Sequence, residues 1–180
     1  MSTTGPPVHI ALVAGEVSRA VAQVDPLGFD RFVAELRIPR RAWFCTGQGR
    51  SGLVAQMAAM RLMHLGHRAH VVGEATAPAI TAGDALLVLS SSGTTPLGLH
   101  FAETARGASA AVVLVTATPQ SPLRDLADTA LHLPARDSTQ FGGSLFEQAA
   151  LLVMDAATLA LDAEDPQTRG AMQRRHANLQ

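Results

Sequence analysis

The sequence predicts an α/β fold: one doubly wound, five-stranded parallel sheet of flavodoxin-like order, led by N-terminal helices. Three observations carry this. Short apolar runs of strand length stand at residues 42–46, 69–73, 85–90, 111–116 and 129–133. Stretches of helical periodicity separate most of them, at 51–65, 96–106 and 122–128. The strand runs are almost wholly apolar and do not alternate, as expected of a parallel sheet buried on both faces.

The elements follow in order. Ile10, Val13, Val17, Val21 and Val24 recur at three- and four-residue steps, one face of a helix, until Asp25-Pro26 interrupts it. Phe29, Phe32, Val33 and Leu36 mark a second helix that ends before Pro39. Residues 1–40 are therefore expected to be a helical segment packed on a domain of residues 41–180, one structural domain overall. The last helix is expected from about Leu145 to Leu161, after which Asp165-Pro166 turns the chain into a polar, extended tail. The stretch 134–143 is the longest without periodicity, and such loops tend to carry function.

Composition excludes several chemistries. Of 180 residues, 47% are hydrophobic and 16% charged, a globular balance. All 14 basic residues are arginine, which removes a lysine Schiff base, a phosphate-loop lysine and a lysine general base. A net charge of −1 argues against a nucleic-acid surface. The single cysteine, Cys45, allows no intrachain disulfide and no cysteine-cluster zinc site; inside the first strand it reads as a core residue. No leader pattern and no apolar run near 18 residues is evident, so the expectation is a soluble, cytoplasmic protein without a membrane span.

Two loops carry the candidate chemistry. Gly47-Gln48-Gly49-Arg50-Ser51-Gly52 has the spacing G-x-G-x-x-G after a strand and before a helix, with Glu74 past the next strand. It is either a dinucleotide fingerprint or a tight turn that needs glycine for backbone reasons. Both offer backbone N–H groups to an anion at a helix N-terminus, with Ser51 adding a hydroxyl and Arg50 a charge. The third strand ends in Ser90-Ser91-Ser92-Gly93-Thr94-Thr95-Pro96. Capping by Thr95 would account for one hydroxyl and not for the rest, whereas a phosphate monoester calls for all of them where lysine is lacking. In a sheet ordered 2-1-3-4-5 the first and third strands are neighbours at the switch point, so both loops should meet in one pocket. Two loops on one phosphate suit a sugar phosphate better than a dinucleotide.

Ser90-x-Ser92-Gly93-x-Thr95 resembles the phosphosugar loop of sugar isomerase (SIS) domains. Within that superfamily the chain is similar to the 6-phospho-3-hexuloisomerases. The likeness runs through Gly49-Arg50-Ser51-Gly52-Leu53, the run from Met60 to Gly66, Val72-Gly73-Glu74, Thr76-x-Pro78, Gly143-Ser144-Leu145-Phe146-Glu147 and His176-Ala177-Asn178-Leu179. The chain departs from the pattern at Gln48, at Thr94 and at Phe141-Gly142, and its 134–143 loop is shorter than in some relatives.

The resemblance implies a shift between two ketose phosphates, from arabino-hex-3-ulose 6-phosphate to fructose 6-phosphate through a cis-enediolate, as in formaldehyde fixation by the ribulose monophosphate pathway. No cofactor or metal is implied. Phosphate is expected on Gly49, Arg50, Ser51, Ser90, Ser91, Ser92, Gly93 and Thr95, with Glu147 as the base and His176 assisting ring opening from a tail that crosses to a neighbouring subunit. A homodimer or homotetramer with sites near subunit boundaries is expected, with no nucleic-acid or membrane partner.

Bland alternatives stand beside these roles. Ser144-Leu145-Phe146-Glu147 is also a capping-box pattern. His64, near the helix end at Gly66, reads equally as a packed histidine favoured by the helix dipole and as a site residue. His64, His67 and His70 are split by Gly66 and cannot share a helical face for a metal. Arg61 and Glu74 are a possible ion pair. The functional rivals are another aldose–ketose phosphosugar isomerase, a non-catalytic sugar-phosphate sensor, and a nucleotide-binding protein.

Overall fold

The computed structural model describes residues 6–164 and 167–179. Two helices lead: α1 (Val8–Ala22) and α2 (Pro26–Leu36). Asp25 begins α2, its carboxylate accepting from the Gly28 N–H at 2.8 Å, and Pro26 occupies the first position, where no N–H is needed. The alternation follows: β1 (Ala42–Gly47), α3 (Arg50–Leu65), β2 (Arg68–Val71), β3 (Ala85–Leu89), α4 (Pro96–Gly107), β4 (Ala111–Thr116), α5 (Pro122–Leu126), β5 (Thr129–His132) and α6 (Ser144–Glu164). A short helix, α7 (Thr168–Arg175), follows.

All five strands are parallel, in the order β2-β1-β3-β4-β5. This is the flavodoxin-type order, with the switch point between β1 and β3. Register places Thr46 beside Val88 and Gly47 beside Leu89, so the loops after β1 and β3 leave the sheet side by side. The central strands are apolar because both faces are covered. Trp43, Cys45, Leu87 and Val113 face the core beneath α1, α2, α3 and α6; Phe44, Leu86, Val88 and Val112 face the core beneath α4 and α5. Ala20, Phe32, Val33 and Leu36 of the leading helices belong to the first of these cores. Cys45 is fully buried there, and burial pushes its thiol up to about 12.

Some expectations are corrected. The tail is not extended: α7 turns back and packs on α3 of its own chain. The expected turn at Asp165-Pro166 lies outside the described residues. Arg61 does not pair with Glu74; its Nε donates to Asp155 on α6 at 3.0 Å, because 61 faces the α3–α6 seam. By length and composition α6 is apolar enough to cross a membrane, contrary to the expectation of no such run. In this fold that apolar character serves the core: Phe146, Ala149, Ala150, Val153 and Ala157 are buried in it.

Candidate active site

The first glycine loop has a steric explanation. A Cβ at Gly47 would lie 2.6 Å from the backbone of Ser51, and one at Gly52 would lie 2.8 Å from the Gly47 carbonyl oxygen. The end of β1 thus presses directly on the first turn of α3, and two glycines permit it. Gly49 (φ +58°) needs its freedom for the left-handed turn itself. These contacts account for the spacing without a dinucleotide, and they bring Ser51, buried in the first turn of α3, to the switch point.

The serine loop is held from inside. The hydroxyls of Ser90 and Thr95 lie 3.0 Å apart, and the Gly93 N–H donates to Ser90 Oγ at 3.2 Å. Thr94 donates to Ser92 Oγ through both its N–H (3.3 Å) and its hydroxyl (3.0 Å). The hydroxyls of Thr116 and Thr118 at the end of β4 both donate to the Ser91 carbonyl. Thr95 stands at the N-terminus of α4 but makes no capping bond; its hydroxyl turns to Ser90 instead. Capping therefore does not explain this cluster.

Between the loops lies an open cavity of about 380 Å³. Gln48, Ser51, Ser90, Ser91, Ser92 and Thr95 line one side, and Ala135, Arg136, Gly142 and Gly143 of the 134–143 loop line the other. The α3 N-terminus adds backbone donors, so the cavity is suited to an anion with a polar, hydroxyl-bearing body.

Glu147, in the first turn of α6, stands at the edge of this cavity. Its carboxylate accepts from Arg50 Nε at 2.8 Å and from the Ser51 hydroxyl at 3.4 Å. It also sits against the wall, since a Cβ at Gly143 would lie 3.0 Å from Glu147 Oε1. The capping-box pattern is not realised through the side chains: Ser144 Oγ donates to the Phe141 carbonyl at 2.8 Å, and the Glu147 carboxylate points across to α3. Arg50, expected on phosphate, has its Nε committed to Glu147.

The histidines lie elsewhere. His64 and His176 stack at 5.4 Å between ring centroids and 7° between planes. They line a separate cavity with Arg61, Asp155, Asp162 and Arg169 that shares no residue with the serine-loop cavity. Within one chain the fold does not bring His176 to Glu147. Burial, with the nearby His176 and Arg61, lowers the pKa of His64 below its ordinary 6.5.

Two residues escaped the sequence reading. Arg136 lines the cavity from the aperiodic loop. Glu16, buried on α1, binds residues 138–140 of that same loop. The available signal for Glu16 was a carboxylate on the face that also buries Ala20, where an unpaired charge would be costly.

Residues 38–163 match the family model of the SIS domain. The chain belongs to the SIS domain family. The SIS domain match opens just before β1 and ends within α6, leaving α1, α2 and α7 outside it. A Mycobacterium gastri protein named 3-hexulose-6-phosphate isomerase is 43% identical, over 96% of this chain and 90% of its own. A Bacillus subtilis protein of the same name is 33% identical, over 96% and 97% respectively. A solved Methanococcus jannaschii protein, whose structure infers a molecular function of 3-hexulose-6-phosphate isomerase, superposes with a TM-score of 0.83 at 26% identity, covering 96% of this chain and 99% of that one.

Proposed function

We propose that this protein is a sugar-phosphate isomerase that converts D-arabino-hex-3-ulose 6-phosphate into D-fructose 6-phosphate. The observation that carries the reading is a carboxylate, Glu147, held by Arg50 and Ser51 at the edge of a hydroxyl-lined cavity. Relatives matched over nine-tenths or more of their length that bear the name of this isomerase support the choice of substrate.

The reaction moves one carbonyl by one carbon and is redox-neutral within the substrate. Glu147 takes the proton from C2, a cis-enediolate forms across C2 and C3, and the proton returns to C3 while C2 becomes the carbonyl. Ser51, Ser90, Ser92 and Thr95, with the backbone about Gly49, Ser91 and Gly93, hold the phosphate end. The donors of the two loops stabilise the enediolate oxygens. Ring opening falls to a histidine, and His176 serves it only if it comes from a neighbouring copy, since in its own chain it lies in the other cavity.

A homo-oligomer fits this requirement. Leu53, Met57 and Met60 are substantially exposed and fall on one face of α3, beside the site that Arg50 and Ser51 build. That apolar stripe supports a dimer or tetramer with sites near subunit boundaries. A charged phosphosugar does not cross membranes unaided, which supports a cytoplasmic enzyme.

The test is to supply hexulose 6-phosphate and follow fructose 6-phosphate. Turnover establishes the reading. Tight binding of fructose 6-phosphate without turnover would make the chain a phosphosugar sensor instead.

A further inference from the structure

The loop 134–143 forms the cavity wall opposite the serine loop, yet lies outside regular structure, and side-chain bonds hold it at 136 and at 138–140. At 138–140 the anchor is Glu16 of α1, only 4% exposed. Its Oε1 accepts from the Thr139 N–H at 2.9 Å and the Thr139 hydroxyl at 2.8 Å. Its Oε2 accepts from the Ser138 hydroxyl at 2.7 Å and Gln140 Nε2 at 3.0 Å. Four donors saturate one carboxylate, and such charge-assisted bonds are the strong ones. They hold its pKa down at about 2, so the carboxylate is ionised at any working pH.

At 136 the anchor is Arg136, whose Nη1 donates to Thr118 Oγ1 at 3.2 Å. The Thr118 hydroxyl donates onward to the Ser91 carbonyl at 3.0 Å. The wall is thus tied to the serine loop by a two-bond chain. Among the described residues that line that cavity, Arg136 is also the one with a formal charge, and it is exposed. A phosphate dianion held by hydroxyls alone would lack a counter-charge, and Arg50 is already engaged by Glu147.

We propose that Glu16 is a positioning residue that fixes loop 134–143 as the outer wall of the phosphosugar cavity, and that Arg136 on this wall is the guanidinium that meets the sugar phosphate. The proposal rests on the isomerase reading for its substrate. It gives α1, which lies outside the SIS domain match, a task at the active site. A helix that belongs to the core through Ala20 carries in its middle the carboxylate that shapes the cavity.

The experiment is steady-state kinetics on hexulose 6-phosphate, with fructose 6-phosphate affinity measured in parallel by calorimetry. Arg136→Ala should raise KM by about ten- to a hundredfold with kcat changed by less than about threefold, and Arg136→Lys should recover part of the loss. Glu16→Gln should raise KM by about three- to tenfold while the amides of residues 139 and 140 exchange faster. In the Arg136→Ala background, Glu16→Gln should add less than about twofold, because both act through one wall. An Arg136→Ala variant with unchanged KM and unchanged affinity overturns the proposal. So does a Glu16→Gln variant whose loop exchanges faster while KM stays put, or a double variant in which the two effects multiply in full. If Glu16→Gln melts below assay temperature, Ser138→Ala removes one of the four donors without touching α1 and should show a smaller rise in KM. A wild-type protein that binds fructose 6-phosphate but turns nothing over defeats the isomerase reading alone, since the calorimetric series still reads the wall.

Discussion

Arg50 Nε and Glu147 Oε2 meet at 2.8 Å although 97 residues separate them in the chain. Each stands in the first turn of its helix, so the contact joins the N-termini of α3 and α6 over the end of β1. The Arg50 side chain is largely exposed and that of Glu147 largely buried. The arginine therefore serves as an outer clasp that holds the carboxylate against Ser51 and Gly143, two residues of the cavity lining. Such a clasp contributes geometry more than stability, since exposed ion pairs are worth little.

Glu147→Gln should fold normally and bind fructose 6-phosphate close to wild-type affinity while kcat falls by about two to three decades, the usual worth of a general base. The amide can still accept from Arg50. Kinetics and calorimetry on one preparation check it; a variant that keeps its turnover removes Glu147 from the chemistry.

Ser92→Ala and Thr95→Val should each weaken phosphosugar binding by about 1–3 kcal/mol. The effects should differ in kind. Thr95 is bonded to the buried Ser90, so its loss also loosens the loop, whereas Ser92 is exposed and should cost affinity with little change in Tm. Calorimetric titration and melting curves separate the two.

Gly93→Ala should be far more damaging than Gly49→Ala. Both glycines have positive φ (+67° and +58°), but a Cβ at 93 would lie 2.1 Å from Ser121 Oγ and 2.5 Å from Ser121 Cβ, while at 49 the space is open. A side-chain rotation cannot move Ser121 Cβ. The expected cost is about 2–4 kcal/mol at 93, with phosphosugar binding lost, against about 1–2 kcal/mol of backbone strain at 49. Urea unfolding measures both.

Glu16 makes stability pH-dependent in a defined window. Its pKa lies at about 2 in the folded chain against an ordinary 4.5, so the unfolded chain takes up this proton first as pH falls. The stabilisation is whole above pH 4.5 and drains away as pH falls toward 2. Melting temperatures of wild type and Glu16→Gln should therefore differ most above that window and converge within it. Parallel curves through the window would mean that the carboxylate is not the anchor.

Arg175→Gln should lower the melting temperature, contrary to what a frayed tail implies. Its Nη1 donates to the His64 carbonyl in the last turn of α3 at 2.9 Å, a cation on a helix C-terminus. A cost of about 0.5–1.5 kcal/mol is expected from the lost bond. No change in Tm on removing residues 175–180 would show that the contact contributes nothing.

Much of the fold was legible because the information was local. The five apolar runs, the glycine-bounded loops and the proline-initiated helices α2, α4 and α5 announce themselves within a few residues of chain. The convergence of the glycine and serine loops was legible as well, since it follows from parallel order once the strands are known. Helix α7 was not: its mixed, mostly polar residues bury nothing fully, and its place depends on Arg175 finding the end of α3.

What the sequence determined by itself was the αβ alternation, the sheet order and the two glycine- and serine-rich loops at the switch point, because periodicity and turn chemistry act over neighbouring residues. Tertiary structure alone decided which side chains meet. Glu147 resembled a cap until α3 stood opposite it with Arg50 and Ser51. Glu16 resembled a misplaced charge until the loop 122–124 residues away supplied four donors. His176 is expected at a neighbouring copy's site, and only the tertiary structure shows that within its own chain α7 folds back and stacks it on His64. Hydrogen bonds across such separations require both groups to be carried into register by a packed core, and no local pattern records that geometry.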